Sequence, residues 1–227
     1  MLMRQFFERE SSTYTYLLAD QGEAILIDPV LDMAPMLAGL LEQLGLALKY
    51  AVDTHVHADH VTALGRLREQ TGCKTLMGSQ SQAACASGFF SEGDTLAVGN
   101  LSLEVLYTPG HTDDSHCFYV PSQGWLFTGD TLLIRGTGRT DFQNGDAATQ
   151  YQSLQRLLAL PPETLVYPGH DYKGFTCSTL AEEQRFNPRL QVQDVAAYVE
   201  LMANLKLPNP KMMDVAVPAN RACGKAG

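Results

Sequence analysis

The amino-acid sequence predicts a layered fold of the α/β or α+β class. Three observations carry that reading. Strand-like runs come first and then recur between helical segments. The helical windows repeat apolar residues every three or four positions, whereas the strand windows alternate or are continuously apolar. No apolar run approaches the ~18 residues that a membrane-spanning helix requires.

Each element follows from local pattern. Thr13–Leu18 and Ala24–Ile27 flank a Gln21-Gly22 turn, which reads as a hairpin. Met33, Met36, Leu37, Leu40, Leu41 and Leu44 predict a helix over 33–46 with a core-facing stripe. Tyr50-Ala51-Val52 reads as a short strand feeding a histidine-rich loop that begins at Thr54. A helix through Leu64 and Leu67 should end near Gly72. Leu101, Leu103, Val105 and Tyr107 alternate with polar residues, as a half-buried strand does, and that strand ends at Pro109-Gly110-His111. Cys117–Val120 and Trp125–Phe127 are two further strands, the second ending at Thr128-Gly129-Asp130. A helix over 147–159 precedes a strand at Leu165–Tyr167 that ends at Pro168-Gly169-His170, and helices over 178–186 and 193–205 flank Pro188.

Composition bounds the function. Of 227 residues, 45% are hydrophobic and 18% charged, with mean hydropathy -0.10, which suits a globular protein able to bury a core without disulfides. The net charge of -9 argues against a nucleic-acid partner. The excess is local: residues 1–129 hold 6 basic and 15 acidic side chains, and residues 130–227 hold 10 of each, which points to the second part for groups that hold an anion. Five cysteines with no C-x-x-C pair suggest reduced thiols in a cytoplasmic protein. Most should be small buried hydrophobes, while for Cys223, near the C-terminus beside basic residues, exposure is left open. The apolar stretch at Phe6 and Phe7 runs at once into Glu8-Arg9-Glu10, so no secretory signal is expected. With no repeat or linker, one domain over 1–227 is expected, with 176–227 a short helical and extended part packed on it.

The six histidines carry the chemistry. His55-Val-His57-Ala-Asp59-His60 places four potential ligands in six residues, and His111, Asp130 and His170 each follow a strand and a glycine. One such histidine is ordinarily a hydrogen-bonded structural residue; five at strand-to-loop junctions point to a metal site. His116 lies in the approach to a strand and is expected to be structural, and Asp113 and Asp114 to be a solvated turn.

The series His55-x-His57-x-Asp59-His60, His111, Asp130, His170 resembles the ligands of the metallo-β-lactamase superfamily. The resemblance implies an αββα sandwich with the metal at one edge between the sheets. It does not fix the reaction. Thr128–Phe142, Gly169–Thr176, Asn187–Leu190, Asn204–Pro208 and Ala216–Asn220 resemble the persulfide dioxygenases of that superfamily. That likeness implies one iron(II), Fe(2+), per chain, held by the residues matching His55, His111 and Asp130. Two histidines and one carboxylate on one face leave positions open for a persulfide sulfur and dioxygen. It further implies oxidation of glutathione persulfide by O2 and water to sulfite and glutathione, in sulfide detoxification, and a possible homodimer. His57, Asp59, His60 and His170 are then groups that orient the ligands from behind, or a latent second metal site.

Glutathione has two carboxylates, so cationic partners are expected. Arg139 is the leading candidate, with a structural pair to Asp141 equally open; Lys173 and Arg221 follow, and Tyr172, two residues from His170, is a candidate at the pocket rim. The rival reading is a glyoxalase II-type hydroxyacylglutathione hydrolase, whose two-metal centre uses all seven ligands. A non-catalytic metal- or thiol-binding role is disfavoured by the intact open site.

Overall fold

In the computed structural model, which describes residues 1–207 and 212–224, two six-stranded sheets face each other and helices cover both outer faces. The first sheet contains β1 (Leu2–Glu8), β2 (Thr13–Asp20), β3 (Glu23–Ile27), β4 (Ala47–Val52), β5 (Lys74–Gly78) and β6 (Gly88–Phe90), hydrogen-bonded in that order. Its first three strands are antiparallel and the rest run parallel to β3. The second contains β7 (Thr95–Val98), β8 (Leu101–Tyr107), β9 (His116–Val120), β10 (Trp125–Gly129), β11 (Leu165–Pro168) and β12 (Ser178–Thr179), also in chain order. Only the β10–β11 pair there is parallel.

The strand alternation builds the layers. On β2, Tyr16 and Leu18 face the inter-sheet core with Ile25, Ile27, Phe118 and Phe127, while Leu17 and Ala19 face outward. The outward residues pack against α1 (Ala34–Gln43) and α2 (Leu64–Thr71). The C-terminal α6 (Met213–Arg221) joins that side through Val217. On the other side α3 (Ala147–Leu158), α4 (Leu180–Phe186) and α5 (Val195–Ala203) cover Tyr119, Leu126 and Val166. Burial on both faces explains why Ala24–Ile27 is continuously apolar rather than alternating. The αββα sandwich expected from the resemblance is therefore the fold.

Some expectations are corrected. The stretch at Phe6-Phe7 is the edge strand β1, in register with β2. Strands β5, β6 and β7 and helix α6 had no clear local signature. The first helix stops at Gln43, short of 46. Cys85 and Cys223 form a disulfide across 138 residues, so the expectation of five reduced thiols fails for two of them. Cys223 is buried, because the chain end folds back beneath the β5–β6 connection. Cys73 and Cys117 are free and buried, and Cys177 is free and exposed. No helix among the described residues is long and apolar enough to cross a membrane. Pro208, at the end of one motif, lies outside the described residues.

Candidate metal centre

Beyond Val52 the chain leaves the sheet, and its backbone polar groups need other partners. Buried side chains supply them. The Asp28 carboxylate accepts from the Thr54 N–H at 2.6 Å and the Thr54 hydroxyl at 3.0 Å. Asp114 accepts from the Val56 N–H at 2.9 Å. The expectation of a solvated turn is thus wrong for Asp114, which is buried and also accepts from the Thr112 hydroxyl at 2.7 Å. Asp113 does lie nearer the surface, with Asn144 donating to it.

His55 on this loop, His111 after β8 and Asp130 after β10 converge, their donor atoms within 4.8 Å of one another. His111 Nε2 stands 3.6 Å from Asp130 Oδ2. The partners behind them decide which atoms point forward. His111 Nδ1 donates to the Arg139 carbonyl at 2.7 Å, leaving the Nε2 lone pair free. Thr54 spends its own proton on Asp28, so its hydroxyl accepts from His55 Nδ1 at 3.0 Å and leaves His55 Nε2 free. Asp130 Oδ1 accepts from His170 Nδ1 at 2.7 Å, leaving Oδ2. Gly169 permits that approach: a Cβ there would lie 2.8 Å from Asp130 Oδ1. All three residues line a cavity of about 620 Å³.

The electrostatics suit a cation. Burial, then the neighbouring His57 and His111, hold His55 well below its ordinary pKa, so it is neutral, as a ligand must be. Burial opposes ionisation of Asp130, but His170, His111 and His55 hold its carboxyl below the usual carboxylate range. Burial likewise opposes a charge on His170, yet Asp130 and Asp59 raise it well above an ordinary histidine. Both nitrogens of His170 face carboxylates, with Nε2 donating to Asp59 at 2.9 Å.

The remaining histidines lie behind this face. His57 Nε2 donates to Asp28 at 3.1 Å, and that carboxylate, against burial, pushes its pKa up to about 9. His60 Nδ1 donates to Asp59 at 2.9 Å. His57 Nδ1 and His60 Nε2 are buried and, among the described residues, lack hydrogen-bond partners. Donor atoms of His57, Asp59 and His60 also fall within 4.8 Å of one another. His116 stands apart at the start of β9, donating from Nδ1 to the Asp114 carbonyl at 2.8 Å, with burial pushing its pKa down to about 4.

The predicted substrate groups divide. Tyr172 and Lys173 line the cavity, and the Tyr172 ring, 71% exposed, stacks on His170 at 5.9 Å. Arg139 lines it too, but its Nε and Nη2 donate to Asp141 at 2.6 and 2.8 Å and its guanidinium lies over Phe142. Arg221 does not line this cavity: α6 carries it to the outer face of the first sheet. Sequence reasoning missed Arg189. Its guanidinium lines the cavity, donates to the Thr137 carbonyl at 2.6 Å and hydroxyl at 2.9 Å, and among the described residues faces no carboxylate at ion-pair distance. Its one signal was its place in the Asn187–Leu190 motif.

Two facing sheets sheathed by helices, with histidines and carboxylates gathered at one edge, define a class. The chain belongs to the metallo-beta-lactamase superfamily, which it matches over residues 9–84 and 86–170. Within it, the chain belongs with the proteins named persulfide dioxygenase ETHE1. It is 48% identical to the human mitochondrial protein of that name over 99% of this chain and 89% of that one, and 47% identical to the bovine protein over the same shares. The crystal structure of ETHE1 from Myxococcus xanthus matches with TM-score 0.95 and 51% identity, covering 99% of this chain and 100% of that one. A hydroxyacylglutathione hydrolase from Francisella tularensis subsp. novicida is 31% identical over 90% of this chain and 82% of that one.

Proposed function

We propose that this protein is a persulfide dioxygenase acting on glutathione persulfide, with one iron(II) held by His55, His111 and Asp130. The overall reaction is glutathione persulfide plus O2 plus water giving glutathione, sulfite and two protons. The observation that carries the reading is that His55 Nε2, His111 Nε2 and Asp130 Oδ2 are free and converge on a cavity, while each residue's other polar atom is hydrogen-bonded behind it. Two imidazoles and one carboxylate on one face fit a non-haem iron(II) site with open positions. Bound there, iron(II) supplies the redox chemistry of O2 with sulfur.

The chain's own residues do the rest. Thr54 and the Arg139 carbonyl fix the tautomers of His55 and His111. His170 holds Asp130 Oδ1 and fixes the carboxylate plane. Leu133, Ile134, Ala58 and Phe142 exclude water from part of the cavity wall. Arg189, Lys173 and Tyr172 line the cavity, and we assign to them the contacts with the glutathione carboxylates. In this reading the chain is one metallo-β-lactamase-like domain. Its part after residue 176 closes one wall: the Arg135 guanidinium pairs with Glu182 and Glu183, and Arg189 and Leu207 join the lining. The proposed location is the cytoplasm, whereas the mammalian relatives are named as mitochondrial.

The second reading, a two-metal thioester hydrolase, is favoured by the orphaned nitrogens of His57 and His60. Against it, the hydroxyacylglutathione hydrolase is 31% identical to this chain, whereas the proteins named persulfide dioxygenase ETHE1 reach 48%. Metal analysis with oxygen uptake on one sample decides. We expect about one iron per chain, O2 consumption only with a persulfide, and loss of both in His111→Ala. Two zincs per chain with cleavage of an acyl-glutathione thioester would overturn the proposal.

A further inference from the structure

The Ala216–Asn220 motif is not used by the mechanism above, and its last residue reaches the metal loop from behind. Asn220 is fully buried. Its Oδ1 accepts from the Thr62 N–H at 2.8 Å, and its Nδ2 donates to the carbonyls of His57 at 2.9 Å and His60 at 2.8 Å. These groups belong to a segment without regular hydrogen bonding, about 160 residues earlier in the chain. Only a primary amide both donates twice and accepts along one plane, so one side chain here satisfies two buried carbonyls and one N–H.

The helix that carries Asn220 is itself secured on the far side of the residue. The Cys223 carbonyl accepts from the Gly65 N–H at 2.9 Å, in the first turn of α2. The contact is so close that a Cβ on Gly65 would lie 2.5 Å from that oxygen. Cys223 is also bonded to Cys85, on the β5–β6 connection. Helix α6 is short and has no side-chain cap at its start, so these ties hold its end against α2.

We infer that Asn220 is a positioning residue that sets the path of the His55–His60 loop from the opposite end of the chain, and that the Cys85–Cys223 disulfide is the latch that keeps it in place. Asn220 touches no ligand nitrogen; it acts through the carbonyls of His57 and His60. The inference rests on the reading of this loop as a metal site, but its main readout does not need metal or turnover.

The test is amide hydrogen exchange on the full-length protein, with iron content and steady-state kinetics on the same samples. Asn220→Asp keeps the acceptor for Thr62 and turns a carboxylate oxygen toward two carbonyls. It should raise exchange within residues 55–64 by about tenfold or more while both sheets stay protected, since the opening is local. Iron per chain and kcat should fall, with KM nearly unchanged. Cys85→Ser keeps Asn220 and should raise exchange in the same segment by a smaller factor. If Asn220→Asp raises exchange evenly through both sheets, or leaves 55–64 as before, the positioning role is wrong. If Asn220→Asp does not fold, Cys85→Ser alone decides: unchanged exchange at 55–64 overturns the inference, and a rise confined to that segment supports it. Loss of persulfide turnover in the wild type would refute the proposed function and leave the exchange result standing.

Discussion

Arg189 places a positive charge in the cavity wall with Thr137 as its hydrogen-bonding partner, and burial lowers its pKa from the ordinary arginine value. Arg139, by contrast, is engaged side-on by Asp141. Both face the same cavity, but they differ in what a substrate carboxylate would have to displace. A charge-assisted hydrogen bond contributes ~1.5–3 kcal/mol, so Arg189→Met should raise KM for glutathione persulfide by about tenfold or more, with kcat little changed. Arg139→Ala should move KM less, because its contact with His111 runs through the backbone carbonyl, which any residue provides. Oxygen-uptake kinetics on both variants check this; equal effects would overturn the ranking, and an unchanged KM in Arg189→Met would remove Arg189 from the carboxylate site. At this scale the ligands were legible, since His111 and Asp130 each follow a strand and a glycine and His55 opens a histidine-rich loop after a strand. Their partners were not: Thr54, Asp28, Asp114 and Asn220 are ordinary polar residues until folding buries them beside the loop.

Helix α3 supports two of the ligand-bearing segments. Ser153 donates to the Pro109 carbonyl at 2.7 Å, just before His111, and Gln150 donates to the Gly138 carbonyl at 3.2 Å. The helix begins at a clear cap, with Asp146 accepting from the Thr149 N–H at 2.7 Å. Hydrogen bonds to Thr149 hold the Asp146 carboxyl below its usual range. Asp146→Ala should therefore destabilise the fold by about 1 kcal/mol in urea at neutral pH. The sign follows from a depressed folded pKa: this stabilisation is complete above the unfolded value of ~4 and is lost as pH falls below it through the lower folded one. The gap between wild type and variant should narrow as pH falls below ~4, and a gap unchanged in acid would mean the cap acts without its charge. This helix was predicted nearly to the residue because its periodicity and its cap are local. Strands β1, β5, β6 and β7 were missed because each is short or carries polar residues, and each becomes a strand only by pairing with a neighbour.

Across the whole molecule, two consequences of long-range packing are measurable. The disulfide closes a loop of 138 residues, so Cys223→Ser should lower the unfolding free energy by ~2–4 kcal/mol, read as a lower urea midpoint with a steeper slope because the unfolded chain is no longer cross-linked. An unchanged midpoint would show that the bond does not form in solution. Buried neutral acids set the alkaline limit. Burial pushes the Tyr198 hydroxyl, and burial with Asp171 the Tyr14 hydroxyl, up to about 12; burial does the same to the Cys117 thiol. Folded pKa values above the unfolded ones give stability that is complete below the unfolded pKa and lost as pH rises through the folded one. The melting temperature should thus stay level from pH ~7 to 8.5 and fall steadily above pH ~9–10, the unfolded range of Cys and Tyr. A flat profile to pH ~11 would contradict this.

By itself the sequence determined the layered class, the strand-end placement of His55, His111, Asp130 and His170, and the family these residues resemble. Those features are written in local periodicity and in turns that precede a ligand. Tertiary structure decided which atom of each ligand faces the cavity, that His170 is bound by two carboxylates, that Arg189 rather than Arg221 reaches the site, and that the chain's end supports its histidine loop. The reason is physical: tautomer, charge state and exposure depend on neighbours that come from distant segments, and a one-dimensional pattern holds no record of which distant segments meet.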